Sequence, residues 1–192
     1  MSKARLEAFS DGVIAIIITI MVLELRPPAH ADLHALRELW PDLCAYTLSF
    51  AILGIYWNNH HVLVGAMHRV SAGVLWANLH LLFWLSLFPF ATAWMGRNPD
   101  EPIPVAVYGC VGFLSAVAYT ILQMTIIAAD GHGSKVGQAV GSDFKGRMSL
   151  AAYAVAIVLS FANHWFSYAF YVFVALVWFI PDRRIARSTG AD

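Results

Sequence analysis

Long apolar runs separated by short polar segments dominate the pattern of this sequence. An apolar helix of about 20 residues spans the roughly 30 Å hydrocarbon core of a bilayer, because each residue adds about 1.5 Å. Runs of near this length occur six times, at approximately 6–25, 39–64, 72–95, 103–129, 148–161 and 165–180. No segment alternates with the two-residue period of a β-barrel strand. The pattern therefore predicts an all-α integral membrane protein with six transmembrane helices per subunit.

The last two apolar runs are the shortest, and only residues 162–164 separate them. We interpret them as two helices of a tight hairpin, with a single bent segment as the alternative. The polar connection over 26–38 contains two adjacent prolines, which cannot continue the first helix. Glycines mark residues 130–145 as the one flexible loop. The whole chain, 1–192, is thus predicted to form a single six-helix membrane domain.

The distribution of charge predicts the orientation in the membrane. Charged residues make up 12% of the chain, which is about half the share usual in soluble domains, and the formal net charge is zero. Nucleic-acid binding therefore has no support. With the N-terminus inside, the inner segments hold nine of the twelve lysines and arginines, and the outer ones hold Arg26, Arg37 and Arg97. This positive-inside bias predicts a multi-pass protein of the cell membrane with both termini, including the basic tail after Pro181, in the cytoplasm.

A cleaved signal peptide is the alternative interpretation of the first apolar run. Residues 29–31, Ala-His-Ala, resemble a cleavage site. Glu7 and Asp11 stand where such a leader is basic, and the apolar run is long for a leader. The sequence therefore favours a permanent membrane helix.

The first helix carries a nearly uncharged stripe along one side. At about 100° per residue, five residues fall within an arc about 60° wide; they are Arg5, Gly12, Ile16, Thr19 and Leu23. Around a central axis, rings of branched apolar side chains would close a conduit by dewetting, and a hydroxyl ring would give an ion one polar stop. The alternative is that the stripe packs against helices or lipid and that Thr19 bonds its own backbone. The helical wheel alone favours this alternative.

Ser10 and Asp11 lie away from that stripe and need polar partners, because an ionisable group in a membrane is costly without one. Candidate partners at similar depth on the second and third helices are Trp57, Asn58, Asn59, His60, His61, Asn78 and His80. We expect a buried network that ties the first three helices together and fixes how the first one is presented. Its predicted role is scaffolding rather than contact with ions, and Arg5 could join it from the membrane edge.

No pattern in the sequence predicts catalysis. Adjacent His60 and His61 point about 100° apart on a helix, so they do not readily share one metal ion. The HExxH, C-x-x-C-H and GxSxG patterns are absent from the sequence. We therefore expect no catalytic residues, no metal site and no cofactor. A TVGYG filter is also absent, so a potassium preference would need another origin.

Arg5, Phe9, Ser10 and Asp11 form an R-x-x-x-F-S-D motif at the start of the first helix. This motif resembles the signature of the transmembrane protein 175 family, whose animal members are endosomal and lysosomal potassium channels. The other matching features are Trp57 before His60-His61, Asn78-Leu79 and Pro89-Phe90. The chain resembles the bacterial branch in its length and in having one six-helix unit rather than two.

The resemblance implies a homotetramer in the lipid bilayer whose central pore is lined by the first helix. Monovalent cations, potassium among them, would pass a hydrophobic constriction rather than a carbonyl filter. Ile16 and Leu23 match the family's apolar pore rings, and Thr19 matches the hydroxyl layer between them. The family's inner structural network maps onto Arg5, Phe9, Ser10 and Asp11 of the motif, with Trp57, His60 and Asn78 as partners.

Two other classes of function stay open. A proton- or ion-coupled secondary transporter would use Asp11 and the histidines of helices two and three as a relay. The sequence shows neither an inverted repeat nor a broken helix at mid-membrane, and both are features of many transporters. A membrane scaffold or redox subunit without transport is the third possibility.

Overall fold

The structure, a computed structural model, describes residues 1–131 and 143–179. In these residues every regular element is an α-helix. The helices are α1 (Lys3–Leu23), α2 (Leu33–Glu38), α3 (Trp40–Ala66), α4 (Ala72–Leu85), α5 (Phe88–Arg97), α6 (Pro102–Asp130), α7 (Phe144–Leu159) and α8 (His164–Phe179). The central part of the predicted glycine-rich loop and the predicted basic tail lie outside the described residues.

The connection after α1 contains a short helix that the hydrophobic pattern does not indicate. Asp32 caps it, and the Asp32 carboxylate accepts a hydrogen bond from the Ala35 amide at 2.8 Å. Leu39 ends this helix and directly precedes α3. The segment is too short to carry a periodic apolar signal, so only its cap could have revealed it.

The third predicted helix, over 72–95, corresponds to one apolar run, Ala72–Arg97, which an unpredicted break at Ser86–Leu87 divides into α4 and α5. Pro89 has no amide hydrogen and therefore removes one i→i−4 hydrogen bond. Near the break the Leu87 amide instead donates to the Trp84 carbonyl at 3.2 Å, a tighter i→i−3 bond. Because Ser86 and Leu87 keep right-handed helical dihedral angles, the chain continues in the same general direction. In the sequence, the absence of a broken helix at mid-membrane argues against a transporter. The break between α4 and α5 removes that argument.

Length and hydropathy identify three helical runs in the described residues that could cross a membrane, namely Lys3–Leu23, Ala72–Arg97 and Pro102–Asp130. The second run includes the break between α4 and α5. The α8 helix is apolar but shorter. It packs on α7, and the Ser167 hydroxyl donates to the Ala156 carbonyl at 2.7 Å. The hairpin interpretation of the last two helices is therefore confirmed.

The helices pack so that α1 lies toward one side of the molecule. It contacts α3, α4 and α5, whereas α6 is surrounded by α4, α5, α7 and α8. The face that α1 turns inward consists of Leu6, Ser10, Ile14, Ile17 and Met21. The opposite side of α1 has no covering helix from the described part of its own chain, and this exposure is the starting point for the functional site.

The Asp130 carboxylate and a closely packed glycine, Gly112, hold the helices behind α1. The Asp130 carboxylate, whose side chain is 1% exposed, accepts hydrogen bonds from the amides of His68 and Arg69 at 2.8 and 2.9 Å. The end of α6 thereby fixes the turn between α3 and α4. Deeper in the core, Gly112 of α6 lies directly against the ring of Tyr153, where a Cβ atom would come within 2.6 Å of the ring carbon Cε1. A side chain at this position has no room.

Replacing Gly112 by alanine tests this close approach. We expect Gly112→Ala to lower the free energy of unfolding by about 1–3 kcal/mol, because the added methyl group displaces the buried Tyr153 ring. Gly54→Ala is the matched control, since a Cβ there meets no atom within 4 Å and alanine favours a helix by up to about 1 kcal/mol. Thermal unfolding in detergent measures both. Equal melting temperatures for the two variants would contradict the packing described.

Candidate functional site: the first helix and its anchors

The predicted stripe of α1 lies on the uncovered side of the helix. Ile16 is 57% exposed and Leu23 is 77% exposed, and Arg5, Gly12 and Thr19 are also exposed. The Thr19 hydroxyl donates to the Ile16 carbonyl at 2.9 Å, which is the backbone bond expected of a hydroxyl in an apolar helix. Within the described residues the stripe does not pack on other helices of the same chain. A second chain, lipid or water must meet it.

A buried hydrogen-bonded chain anchors the opposite side of α1. The Asn78 amide group donates to the Ser10 hydroxyl at 2.9 Å, and the Ser10 hydroxyl donates to the Leu6 carbonyl at 2.9 Å. His60 Nε2 donates to the Asn78 side-chain oxygen at 2.7 Å. All three polar side chains are buried. One residue from each of α1, α3 and α4 therefore meets at this point.

The tautomer of His60 follows from this geometry. The Asn78 side-chain oxygen can only accept, so His60 Nε2 carries the hydrogen. The other ring nitrogen, Nδ1, is buried without a hydrogen-bond partner among the described residues. The imidazole thus uses one nitrogen to hold the amide of Asn78 in the orientation that reaches Ser10.

A second set of contacts joins α1 to α3 along the surface. Its three rungs link Lys3 Nζ to the Gly65 carbonyl, Glu7 to His61 Nδ1 at 2.9 Å, and Trp57 Nε1 to the Asp11 carboxylate at 3.0 Å. The members are spaced four residues apart on each helix, and the helices run antiparallel. The rings of Trp57 and His61 also stack, with centroids 6.3 Å apart. Sequence reasoning missed Lys3, Glu7 and Gly65, although their spacing of four was visible.

The residues predicted to form one inner network therefore lie in separate places. Ser10, His60 and Asn78 meet in the core, whereas Asp11 and Trp57 meet at the surface. Phe9 is 50% exposed. In residues 1–131 and 143–179 no hydrogen bond or ion pair joins the Arg5 side chain to this group.

His80 is likewise separate from the inner network. Its Nε2 accepts a hydrogen bond from Trp84 Nε1 at 2.9 Å, one turn further along α4, and its side chain is exposed. Asn58, which the sequence also offers as a partner, is exposed. The polar residues of α3 and α4 thus take part in several separate contacts rather than in one site.

An open groove of about 790 Å³ lies between α1 and α5 toward the other end of α1. Ile16, Ile20 and Phe90 are among the apolar residues that line it. At its end, Arg97 donates to both the Glu24 carboxylate and the Glu24 backbone carbonyl, at 3.0 and 2.9 Å. The Arg97 side chain therefore satisfies the carboxylate and a free carbonyl at the end of α1.

The described residues contain no group of three or more His, Cys, Asp or Glu side chains that could hold a metal ion. The candidate site is an exposed helix surface rather than a cluster of metal ligands. An apolar face with a single hydroxyl is presented outward, and polar contacts on the other sides of the same helix fix its rotation.

Removing the central amide tests the buried anchor. We expect Asn78→Leu to lower the free energy of unfolding by about 1–3 kcal/mol, because the His60 Nε2 hydrogen is left buried without an acceptor. Asn58→Leu changes the same side chain at an exposed position and should not destabilise the protein. Thermal unfolding in detergent compares the two. If Asn78→Leu melts at the temperature of the unchanged protein, the amide is not an anchor.

Known proteins resemble this chain in sequence and in overall fold. The family described as the endosomal/lysosomal potassium channel TMEM175 matches residues 5–89, which include α1 and its partners on α3 and α4. A potassium channel of Chryseobacterium sp. (strain P1-3) is 50% identical over 188 residues, covering 98% of each chain.

A solved structure and an animal protein extend the comparison. The crystal structure of a lysosomal potassium-selective channel TMEM175 homolog from Chamaesiphon minutus superposes with a TM-score of 0.83 at 30% identity, covering 94% of this chain and 97% of that one. The endosomal/lysosomal proton channel TMEM175 of Bos taurus is 29% identical over 84% of this chain and 38% of its own length.

The Chryseobacterium and Chamaesiphon proteins match nearly the whole chain, and all these likenesses concern ion channels rather than enzymes. The fold, an all-helical membrane protein, agrees with them. The chain belongs to the TMEM175 family of ion channels.

Proposed function

We propose that the chain is one subunit of a homotetrameric, potassium-permeable cation channel in the cell membrane, with α1 lining a central pore. Six crossings result if α4 and α5 together form one of them, and both termini are then cytoplasmic. The observation that carries the proposal is the outward-facing stripe of α1. The potassium channels among the relatives support the choice of ion.

The chemistry of the stripe supports a pore without a carbonyl filter. Ile16 and Leu23 are branched, exposed side chains that would form two apolar rings around a four-fold axis. Such rings hinder the passage of water and hydrated ions. Thr19 lies between them, and its hydroxyl oxygen keeps lone pairs available while its hydrogen is bound to the Ile16 carbonyl. An ion would therefore meet one oxygen-bearing layer between two hydrophobic constrictions.

The anchors support a fixed rotation of α1 rather than a direct role in conduction. Ser10, Asn78 and His60 hold the buried side, and Trp57 holds Asp11 at the edge. A rotation of one residue, about 100°, would replace the stripe by a different set of side chains. Phe9 and Arg5, the remaining members of the motif, lie on the exposed side, where another subunit can contact them.

A coupled transporter is the second candidate. The break between α4 and α5 is a feature that many transporters use at their binding sites, and it favours this reading. The animal relatives, which are named proton channels, add a reason to measure protons as well as potassium. In the described residues the histidines do not form a continuous relay, because His60 bonds to Asn78, His61 to Glu7 and His80 to Trp84.

Flux through purified protein in liposomes separates the candidates. A channel is expected to carry potassium down its electrochemical gradient without a proton gradient, at a rate that follows the membrane potential. Reversal potentials in mixed potassium and sodium then give the selectivity. Potassium movement that requires a stoichiometric countermovement of protons would contradict the channel and establish the transporter.

Polar substitutions in the stripe test the constriction. We expect Ile16→Ser or Leu23→Ser to raise the resting potassium leak, and a barrier lowered by about 1.4 kcal/mol would raise it about tenfold. Val158→Ser is the control, because Val158 of α7 is also strongly exposed, at 71%, but lies on a helix remote from α1. Planar-bilayer or liposome currents measure the leak. Unchanged currents in both stripe variants would contradict their position in the pore.

Replacing Asp11 by asparagine separates scaffolding from ion contact. Asp11→Asn replaces the carboxylate that accepts from Trp57 by a neutral, weaker acceptor, so we expect a lower yield of assembled protein and unchanged ion preference in what assembles. Size-exclusion chromatography and reversal potentials report the two quantities. Well-assembled protein with altered selectivity would show that Asp11 contacts the permeating ion.

A further inference from the structure

An ion pair lies at the end of α1 that faces outward in the proposed orientation. Arg97, the last residue of α5, donates to Glu24 Oε2 at 3.0 Å and to the Glu24 backbone carbonyl at 2.9 Å. Both side chains are partly exposed, 39% for Arg97 and 45% for Glu24. Glu24 directly follows Leu23, the outer of the two apolar positions in the stripe. In the proposed pore, external cations would therefore pass this pair before they reach the Leu23 ring.

The guanidinium of Arg97 is held at this place by two helices. Its bond to the Glu24 carbonyl satisfies an acceptor that the C-terminus of α1 leaves unpaired, and the helix dipole favours a positive charge there. On the other side, Asp42 of α3 lies against Gly96, where a Cβ atom would come within 2.8 Å of Asp42 Oδ1. Asp42 also attracts Arg97 electrostatically. Arg97 therefore stands between the carboxylates of α1 and α3.

The pair has a larger effect on the field at the entrance than on stability. An ion pair exposed to this degree stabilises a fold little, because water and salt screen it. A cation that enters a narrow conduit feels the same charges more strongly, since the low-dielectric protein wall focuses their field into the opening. A symmetric assembly repeats every charge around its axis. Several copies of the Glu24 carboxylate would attract cations to the entrance, and the same number of Arg97 side chains would cancel that attraction.

The charges near this end balance only when Arg97 is present. Glu24 and Asp42 are the acids, and Arg26, exposed two residues beyond Glu24, is the other base. Replacing Arg97 by a neutral residue leaves one uncompensated negative charge in every subunit. The local concentration of a cation depends exponentially on its charge in such a field, so divalent cations would accumulate more steeply than potassium.

We propose that Arg97 controls the entry of cations from outside by cancelling the charge of Glu24 at the outer opening. The inference rests on the proposed pore and assigns to it a specificity-determining residue on α5, outside the helix that lines it. With Arg97 in place, a monovalent cation meets an almost neutral rim and divalent cations are not concentrated there. The outer rim thus selects by charge, before the apolar rings and the Thr19 hydroxyl are reached.

Neutralising one partner at a time tests the proposal. In outside-out patches at about 10 mM external potassium, where the Debye length is about 30 Å, Arg97→Gln should raise the unitary inward current about two- to fourfold. Glu24→Gln should lower it by a similar factor, and the double variant should lie close to the unchanged protein. These effects should disappear at about 1 M salt, where the Debye length is about 3 Å. Arg97→Gln should also be blocked by lower external magnesium concentrations than the unchanged protein.

A purely structural pair would give a different pattern. If Arg97 only caps α1, Arg97→Gln and Glu24→Gln should change the current in the same direction at every salt concentration, and that pattern would overturn the proposal. Arg97→Lys keeps the charge and should conduct like the unchanged protein. Glu101→Gln is the matched control, because Glu101 at the start of α6 is exposed and its carboxylate makes no bond within the described residues. An equal effect of Glu101→Gln and Glu24→Gln would contradict the assignment to this pair.

Chemical restoration of the charge makes the comparison within one folded channel. In a background with Cys44 and Cys110 replaced, Arg97→Cys can be modified from outside by thiol reagents that add either an ammonium or a sulfonate group. The ammonium reagent should lower the inward current at low salt, and the sulfonate reagent should raise it. The same response to both reagents would show that side-chain size rather than charge matters, and the proposal would fail.

The outcomes distinguish this inference from the proposed function. If the unchanged protein conducts potassium and neither Arg97→Gln nor Glu24→Gln alters the inward current at low salt, the role of the pair is wrong and the channel stands. If the unchanged protein carries no potassium current, the proposed function is wrong, and this inference is wrong with it.

Discussion

The side-chain amide of Asn78 is the contact on which the rest of this structure depends. It donates to Ser10 of α1 and accepts from His60 of α3, so a single residue of α4 sets the relative position of three helices. In a low-dielectric interior, such a network is stabilising only when its members are paired. Because α1 has little else polar in its core-facing side, this contact determines which side of the helix faces away from the protein.

Contacts on the buried side of α1 fix its rotation, and its exposed side stays available for function. The surface rungs at Lys3, Glu7 and Asp11 reinforce the same orientation on the α3 side, and Arg97 holds Glu24 at the far end. What remains outward is a face of small and branched residues with one hydroxyl. The architecture thus separates polar contacts that hold the helix from apolar side chains that would control the passage of ions.

Much of the helical layout follows from the hydrophobic pattern, because runs of apolar residues and their polar connections directly reflect the bilayer. The hydrophobic pattern does not reveal the break at Ser86–Leu87, since apolar residues continue from α4 into α5 and only Pro89 marks it. The stripe on α1 was predicted from periodicity. Its exposure follows only from the family resemblance, because helical spacing alone does not distinguish a face that meets the same chain from one that meets another.

The polar contacts around α1 were likewise predictable only in part. Ser10, His60 and Asn78 were expected together on grounds of depth, and the structure joins them. Depth does not determine direction around a helix, so Asp11 and Trp57 were grouped with them although they lie at the surface. The most direct measurement of the central claim is the reaction of Thr19→Cys with a water-soluble cationic thiol reagent during potassium flux. The account predicts rapid modification and block, whereas a cysteine that reacts only with a lipid-soluble reagent and leaves the flux unchanged would contradict it.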